Sequence, residues 1–165
     1  MSLSSKNDSS RDNQQERLRT AGWIVGFVDG EGCFSVSIFK NRTTRSGWQV
    51  LPEFVVTQGE KSLFVLEEMK NFFGCGRVFV NRRYDNHKEN LYRYCVRAIK
   101  DLREIIVPFF QENPLRTAKR KDFEIFKAAI QLMSENAHLS KEGIERLKTL
   151  KSSKNPQRLY VRASS

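Results

Sequence analysis

Apolar residues recur along the first part of the chain with two different spacings. Residues 17–30 form a largely apolar run that scans as a helix. In residues 33–41 the apolar Phe34, Val36 and Ile38 instead alternate with small or polar side chains. An alternation with period two predicts a strand that has one apolar face.

A second strand and a second helix are predicted to follow. Residues 43–47 have the composition of a hairpin tip, and residues 48–58 return as a strand in which Pro52 marks an edge or a bulge. Residues 61–73 have the spacing of an amphipathic helix, and Gly74 follows as its stop.

The same hairpin-plus-helix unit is predicted again in the second half. Strands are expected at 76–84 and 90–98, joined by a turn-rich segment at 85–90. Three helical segments follow, at 100–110, at 119–136 and at 140–150, the last with Ser140 and Glu142 near its cap. The repeated unit predicts an α/β (α+β) domain, in which helices cover one face of an antiparallel sheet and leave the other for solvent or a ligand.

The length of the chain sets its organisation. Its 165 residues suffice for one hydrophobic core and are too few for two. We expect a polar, flexible tail at 1–16, a single domain at 17–150 and a basic, polar tail at 151–165.

The charge of the chain indicates the class of partner. A formal net charge of +10 points to a polyanion, with nucleic acid first and an anionic membrane surface second. No stretch approaches the roughly 20 apolar residues that a membrane-spanning helix needs. The first residues lack the apolar core of a signal peptide, so we expect a protein that is not secreted and works where it is made.

The cysteines and histidines do not indicate a metal site or a disulfide framework. Cys33, Cys75 and Cys95 are odd in number and share no zinc-ligand spacing. His87 and His138 are isolated along the chain.

Glycines at every fourth position make the first helix unusual. Gly22, Gly26 and Gly30 fall on one helical face, although each costs about 1 kcal/mol relative to alanine in a helix interior. A row of glycines is useful where a second backbone must approach closely. We therefore predict a homodimer in which this face, together with Trp23, packs against its two-fold mate; a tightly packed core helix is the alternative.

Two acids stand at the end of the same helix. Asp29 and Glu31 are unfavourable beside the negative end of the helix dipole unless a cation compensates them. Paired helices would bring two copies of Glu31 together, which also favours a bound cation. We predict that Glu31 binds Mg²⁺, or Mn²⁺ or Ca²⁺ at the same site, and that Asp29 caps or orients its neighbours.

These residues belong to a longer resemblance. The segment IVGFVDGEG, residues 24–32, resembles the signature of the LAGLIDADG homing endonucleases, and PEFVVTQ, residues 52–58, resembles the second strand of their single-motif members. The resemblance covers most of the chain. It implies an α-β-β-α-β-β-α core with a saddle-shaped antiparallel sheet, a homodimer, and Gln58 at the active centre beside Glu31.

The resemblance has three departures. Val25 replaces the usual alanine, which would set paired helices slightly further apart, and Glu31 replaces the commoner aspartate. The basic active-site residue of the family is matched best by Lys119, with Lys121 as the competitor. A lysine there would stabilise charge on the phosphate or polarise the attacking water.

The second face of the predicted sheet is rich in arginine, asparagine and serine, side chains that hydrogen-bond base edges and phosphates. The predicted DNA-contacting residues, including those near the hairpin tip, are Ser35, Ser37, Lys40, Asn41, Arg42, Gln49, Arg77, Asn81, Arg83, Arg93 and Arg97. A shift of one residue in register would move them to the other face.

The resemblance implies a homodimeric, metal-dependent endonuclease that makes a staggered break in a long, nearly palindromic duplex and promotes the spread of an intron. It would act in the compartment of its gene, an organelle or a bacterial cytoplasm. Two rival functions use the same fold: an RNA-splicing maturase with its own intron RNA as partner, and a DNA-binding regulator that does not cleave.

Overall fold

The structure, a computed structural model, describes residues 5–82 and 90–153. Its four strands form one antiparallel sheet in the order β1-β2-β4-β3, and five helices accompany them. The strands are β1 (Gly32–Lys40), β2 (Trp48–Gly59), β3 (Arg77–Asn81) and β4 (Leu91–Val96). The helices are α1 (Ser5–Glu31), α2 (Leu63–Phe73), α3 (Ile99–Asp101, Leu102–Ile106 and Val107–Glu112 in succession), α4 (Lys119–Ser134) and α5 (Lys141–Ser152). Single 3₁₀ turns precede α2 (Glu60–Ser62) and α5 (Ala137–Leu139).

The predicted α-β-β-α-β-β-α order, the antiparallel sheet and the helices that follow it are confirmed. β1 pairs with β2 in the register that alternation predicts, with Phe34 opposite Phe54. Pro52 lies where β2 has only β1 as a neighbour, because the pairing with β4 begins at Phe54. Gly74 ends α2 in the left-handed conformation, with φ of 66°, which a glycine adopts without strain.

The core lies between the sheet and the helices and is built largely from aromatic rings. Phe34 stacks on Phe54 with ring centroids 5.1 Å apart and meets the edge of Phe110 at 5.2 Å. Phe123 and Phe126 of α4 complete the cluster, and all five rings are buried. A row of aromatic residues at this one face fixes which side of the sheet is covered by helices.

A second, smaller core anchors α5 to the rest of the domain. Ile144 and Leu147 pack there with Val50 of β2 and Met133 of α4. Ser140 caps α5 as predicted, since its hydroxyl accepts a hydrogen bond from the amide of Gly143 at 3.0 Å. Trp48 lies at this end of the sheet with the ammonium of Lys148 3.6 Å from its ring centroid.

One segment boundary differs from the predictions. α1 begins at Ser5, within the segment 1–16 predicted to be a flexible tail. The apolar pattern starts at residue 17, but extending an existing helix costs far less than nucleating one, and neither proline nor glycine interrupts residues 5–16. The predicted turn at 85–90 and most of the tail at 151–165 fall on residues outside the described ranges.

The helix predicted at 100–110 runs from Ile99 to Glu112 and contains one wide turn. Residues Leu102–Ile106 adopt a π-helical turn immediately before Pro108. A proline has no amide hydrogen, and its ring would clash with the carbonyl of Glu104 in a regular α-helix. The wide turn accommodates Pro108 without breaking the helix. Across the described ranges, no helix is both long enough and apolar enough to cross a membrane.

Candidate active site and nucleic-acid interface

The end of α1 and the start of β1 place Glu31 at a sharp junction. Ile24 and Val28 of α1 are fully buried, which fixes the orientation of the helix on the core. At Gly32 a Cβ atom would lie 2.6 Å from the Cγ1 of Val28, so only glycine lets the strand start directly against the helix. Glu31, between them, is exposed.

Glu31 is available to bind a ligand. Within the described part of the chain, no side chain or amide donates a hydrogen bond to Glu31 and no cation pairs with it. The same residues include no group of three or more His, Cys, Asp or Glu that could hold a metal ion. One carboxylate per chain fits Mg²⁺, which commonly takes one or two carboxylates and completes its shell with water and phosphate oxygens.

Lys119 of α4 is held against the end of α1. Its Nζ donates hydrogen bonds to the carbonyl oxygens of Val28 at 3.0 Å and of Gly30 at 3.1 Å. This ammonium group therefore supplies one cation to the negative end of the helix dipole, so the predicted need for compensation there is partly met within the chain. Lys121 is exposed and has no such contact, and the geometry favours Lys119 of the two candidates.

Asp29 ties the same two elements together in the opposite direction. Its carboxylate accepts hydrogen bonds from the amides of Arg116, at 2.8 Å, and Thr117, at 3.1 Å, and from the hydroxyl of Thr117 at 2.5 Å. Desolvation acts to raise the pKa of Asp29, but these hydrogen bonds and the charge of Lys119 lower it below its ordinary value. The prediction that Asp29 orients its neighbours is confirmed, and the turn before α4 is the part that it orients.

Replacing Asp29 is expected to loosen this connection in a pH-dependent way. Because the pKa of Asp29 in the folded state lies below its ordinary value of 3.8, the ionised carboxylate stabilises the fold at pH values above 3.8. This stabilisation is lost as the pH falls through the folded-state pKa. Asp29→Asn should therefore reduce the free energy of unfolding by about 1–2 kcal/mol at pH 7. The deficit should shrink in urea titrations below about pH 4. Asp12→Asn, on the exposed part of α1, should change stability by less than about 0.5 kcal/mol at either pH.

Gln58 lies at the same end of the sheet. Gly32 pairs with Val56, so Gln58 stands two positions beyond the start of β1, where α1 ends. Gln58 is half-buried. It stands two residues from Val56 in β2, so both side chains lie on the side of the sheet that carries the helices. The register therefore brings Gln58 towards the junction that carries Glu31, and its role in catalysis stays a prediction.

The glycine face of α1 is open. Nothing lies within 4 Å of a Cβ built at Gly22, Gly26 or Gly30, which excludes the alternative that these glycines pack inside the domain. Trp23 is 42% exposed beside this face and stacks on Phe27 at 5.2 Å. Gly22, Gly26 and Asp29 also line an open groove of about 770 Å³ with the segment between α3 and α4. Among residues 5–82 and 90–153, none occupies the face that the glycines keep small.

The face of the sheet opposite the helices carries most of the predicted DNA-contacting side chains. The strand registers place on it Ser35, Ser37, Gln49, Arg77, Asn81 and Arg93, with Arg97 following at the end of β4. Three partly exposed apolar side chains, Phe39, Leu51 and Phe79, share this face. Such a surface can contact phosphates, polar base edges and thymine methyl groups.

The residues near the hairpin tip do not all lie on the open face. Lys40 pairs with Trp48, and like Phe34 and Val36 it has an even position in β1, which corresponds to the helix-covered side of the sheet. Its ammonium lies 6.0 Å from the Trp48 ring centroid. Lys40 therefore does not belong to the open face, and its predicted contact with DNA at the hairpin tip stays a prediction. Asn41 donates a hydrogen bond to Gln49 at 2.8 Å and Arg42 is exposed in the loop. Arg83 lies outside the described residues.

The open face also contains an acid that sequence reasoning missed. Glu53, opposite Ser35 in the register, forms ion pairs with Arg93 at 2.9 Å and with Arg97. Its alternation with the buried Phe54 places it on this face, so the pattern of β2 contained the signal. Its two arginine partners lie on another strand, and the sequence alone does not indicate them.

Comparisons with known proteins agree with this arrangement. The family model described as LAGLIDADG endonuclease matches residues 24–130. A probable intron-encoded endonuclease 3 of Neurospora crassa is 31% identical over 140 residues, which are 84% of this chain and 25% of that protein. The chain spans about a quarter of the length of this relative and of two others, from Podospora anserina and Neurospora crassa.

Two solved structures have the same fold at substantial identity. The homing endonuclease I-TnaI superimposes with a TM-score of 0.71 and 38% identity, over 82% of this chain and 87% of that one. I-SmaMI, bound to uncleaved DNA in the presence of calcium ions, gives 0.74 and 36%, over 82% of this chain and 45% of that one. With the nonapeptide at the end of α1, the open glycine face and the matching sheet in place, the chain belongs to the LAGLIDADG endonuclease family.

Proposed function

We propose that two copies of this chain form a site-specific DNA endonuclease, which hydrolyses one phosphodiester in each strand of a duplex and leaves a staggered double-strand break. One observation carries the proposal. The carboxylate of Glu31, which has no partner among the described residues, lies at the end of α1, whose glycine face is open, and the ammonium of Lys119 is bonded to the carbonyls of that same helix end. A basic sheet face for DNA and a site for a reacting phosphate thus belong to one domain.

The dimer follows from the open face and from the single carboxylate. A second copy packed on Gly22, Gly26 and Gly30 would bury a surface that has nothing against it and would bring a second Glu31 to the first. This chain corresponds to less than half of I-SmaMI, which leaves room for a second unit of the same size in a DNA-bound relative. The two-fold axis of such a dimer would impose a nearly palindromic target.

The residues at the junction fit a divalent cation, Mg²⁺ or a substitute such as Mn²⁺ or Ca²⁺. Glu31 would hold it, and the bound ion would neutralise charge on the scissile phosphate and lower the pKa of an attacking water. Lys119 donates two of its three N–H groups to the carbonyls of Val28 and Gly30, so one N–H is left for a phosphate oxygen or a water. Gln58, at the same end of the sheet, would orient that water through its amide.

Binding to DNA is expected to depend steeply on salt. The net charge of +10 and the arginines of the open face predict many phosphate contacts, each of which releases counterions. Affinity for duplex DNA should fall about 10³- to 10⁵-fold between 50 and 200 mM salt if six to ten phosphates are contacted. Fluorescence anisotropy over this range would measure the slope, and Arg77→Ala should reduce it by about 1. A flat dependence would contradict the use of this face.

Selection of cleaved sites from a randomised duplex library in Mg²⁺ tests the proposal as a whole. We expect a single long consensus with two-fold symmetry and short overhangs at the break. A chain that binds duplexes tightly and leaves them intact would instead be the non-cleaving regulator. A chain that binds no duplex and promotes the splicing of its own intron RNA would be the maturase.

The biological role extends the same proposal. Relatives are described as intron-encoded endonucleases, among them the one from Neurospora crassa, which supports a role in spreading an intron to alleles that lack it. The enzyme would act in the compartment that contains its gene.

A further inference from the structure

Four side chains of the open sheet face form one connected cluster, which we call the Glu53 cluster: Glu53, Arg93, Arg97 and Phe79. The Oε1 atom of Glu53 accepts from Nη2 of Arg93 at 2.9 Å, and its Oε2 atom accepts from Nε and Nη2 of Arg97. The guanidinium carbons of Arg93 and Arg97 lie 5.8 Å and 6.0 Å from the ring centroid of Phe79. One acid and one ring thus hold two arginines, one in β4 and one immediately after its end.

Glu53 is ionised within this cluster. Its side chain is only 16% exposed, and burial acts to raise its pKa. Hydrogen bonds from Arg97 and Cys95 and the charges of both arginines outweigh burial, so the pKa of Glu53 lies below its ordinary value. The carboxylate therefore remains an acceptor for both guanidinium groups at neutral pH.

The arginines keep donors for a further partner. Glu53 occupies the Nε–Nη2 edge of Arg97 and one Nη2 hydrogen of Arg93. These bonds leave both Nη1 hydrogens and the second Nη2 hydrogen of each guanidinium, so each group keeps donors on two of its nitrogens. Two N–H groups in a fixed fork match two adjacent acceptors in a plane, and the O6 and N7 atoms of guanine in the major groove are such a pair.

An acid at this place does not help a protein to hold DNA through charge. It lowers the positive potential of the face that would meet phosphates, and its pair with Arg97, whose side chain is 58% exposed, contributes little to folding stability. Its physical effect is to fix the rotamers of Arg93 and Arg97 before DNA arrives, which reduces the ordering that binding would otherwise require. A fixed fork discriminates between base edges better than a mobile one.

We propose that Glu53 is a positioning residue for sequence specificity, which holds Arg93 and Arg97 so that each recognises one guanine in the major groove of a target half-site. This inference rests on the proposed function, because it assumes that the open face meets duplex DNA. It goes further in naming two G·C pairs per half-site and the residues that select them. Phe79 supports both guanidinium groups from below and contacts no base in this arrangement.

The test is a comparison of base preferences, position by position. Duplexes bound by the full chain in Ca²⁺, which is used here as a non-cleaving probe, are selected from a randomised library and sequenced. The natural chain should enrich guanine at two positions of each half-site by about 5- to 150-fold over other bases. Glu53→Gln, of the same shape, and Glu53→Ala should lose most of this enrichment there while preferences at other positions persist. Arg93→Gln and Arg97→Gln should each relax one of the two positions.

Two controls separate specificity from stability and from charge. Glu60→Gln removes the same charge at an exposed position between β2 and α2 and should leave the guanine positions unchanged, and thermal unfolding identifies any variant that fails to fold. If the natural chain selects a site but Glu53→Gln keeps the guanine preference, or weakens all positions equally, the inference is overturned and the proposed function stands. If the natural chain selects no site from the library, both are overturned.

Discussion

Glu31→Gln is expected to abolish cleavage while leaving target binding nearly unchanged. The amide keeps the size of the carboxylate but loses the negative charge that would hold a divalent cation. Mutation of residues that only hydrogen-bond to a metal ligand typically reduces metal affinity or activity by about 10–100-fold. Loss of the ligand itself should therefore reduce cleavage by more than that. Single-turnover cleavage of a labelled target in Mg²⁺ measures the loss, and anisotropy in Ca²⁺ measures binding.

The control for this variant is Glu60→Gln. Glu60 is also exposed, in the turn between β2 and α2. The Glu60→Gln variant should cleave DNA at the rate of the natural chain. Folding should be unaffected by Glu31→Gln, because no residue in the described ranges depends on that carboxylate for a hydrogen bond. Cleavage by Glu31→Gln at the normal rate would remove Glu31 from the catalytic centre and leave the family resemblance without its main chemical consequence.

Gly26→Leu is expected to prevent dimerisation and, with it, double-strand cleavage. A leucine in the middle of the glycine face would hold a partner helix away, whereas no atom of the part of the chain that the structure describes lies within 4 Å of a Cβ at this position. The isolated chain should therefore fold normally. In sedimentation with a target duplex, the natural chain should form a complex of two subunits on one duplex, with one subunit at each half-site. The Gly26→Leu variant should remain monomeric.

Gly26→Ala distinguishes the dimer from an unpaired helix through the sign of its effect. In a monomer, replacing this exposed glycine by alanine should stabilise α1 by about 1 kcal/mol. In a dimer with close backbones, the added methyl group should instead weaken association. Gln131→Leu adds an apolar side chain at an exposed position of α4 and should leave association unchanged. A Gly26→Leu variant that still dimerises would show that another surface joins the subunits.

Much of the fold was predictable because its two faces differ so strongly. The alternation around Phe34 and Phe54 fixed the side of β1 and β2 that meets the helices, and the register agrees with it. The start of α1 was not predictable from the same signal, because residues 5–16 are polar throughout and carry no apolar stripe. The side of the sheet on which Lys40 lies was not predictable, because it stands at the end of a strand, where a single position decides the face.

The candidate site was predictable only where its residues are close in sequence. Asp29 and Glu31 stand two positions apart in one motif, and their positions follow from the end of α1. The choice between Lys119 and Lys121 depends on how α4 approaches α1, a contact between residues about ninety positions apart. The pairing of Glu53 with Arg93 and Arg97 likewise crosses forty positions or more, and no local pattern encodes it.

The two tryptophans lie at places that give the chain separate optical reporters. Trp23 stands beside the open face of α1, whereas Trp48 lies at the base of the hairpin with Lys148 over its ring. A quencher in solution should therefore reach Trp23 until a second subunit covers it, and the emission of Trp48 should respond to events at the hairpin. The fluorescence of Trp23 could then follow the association of subunits in real time, and that of Trp48 could follow events at the hairpin, without an added label.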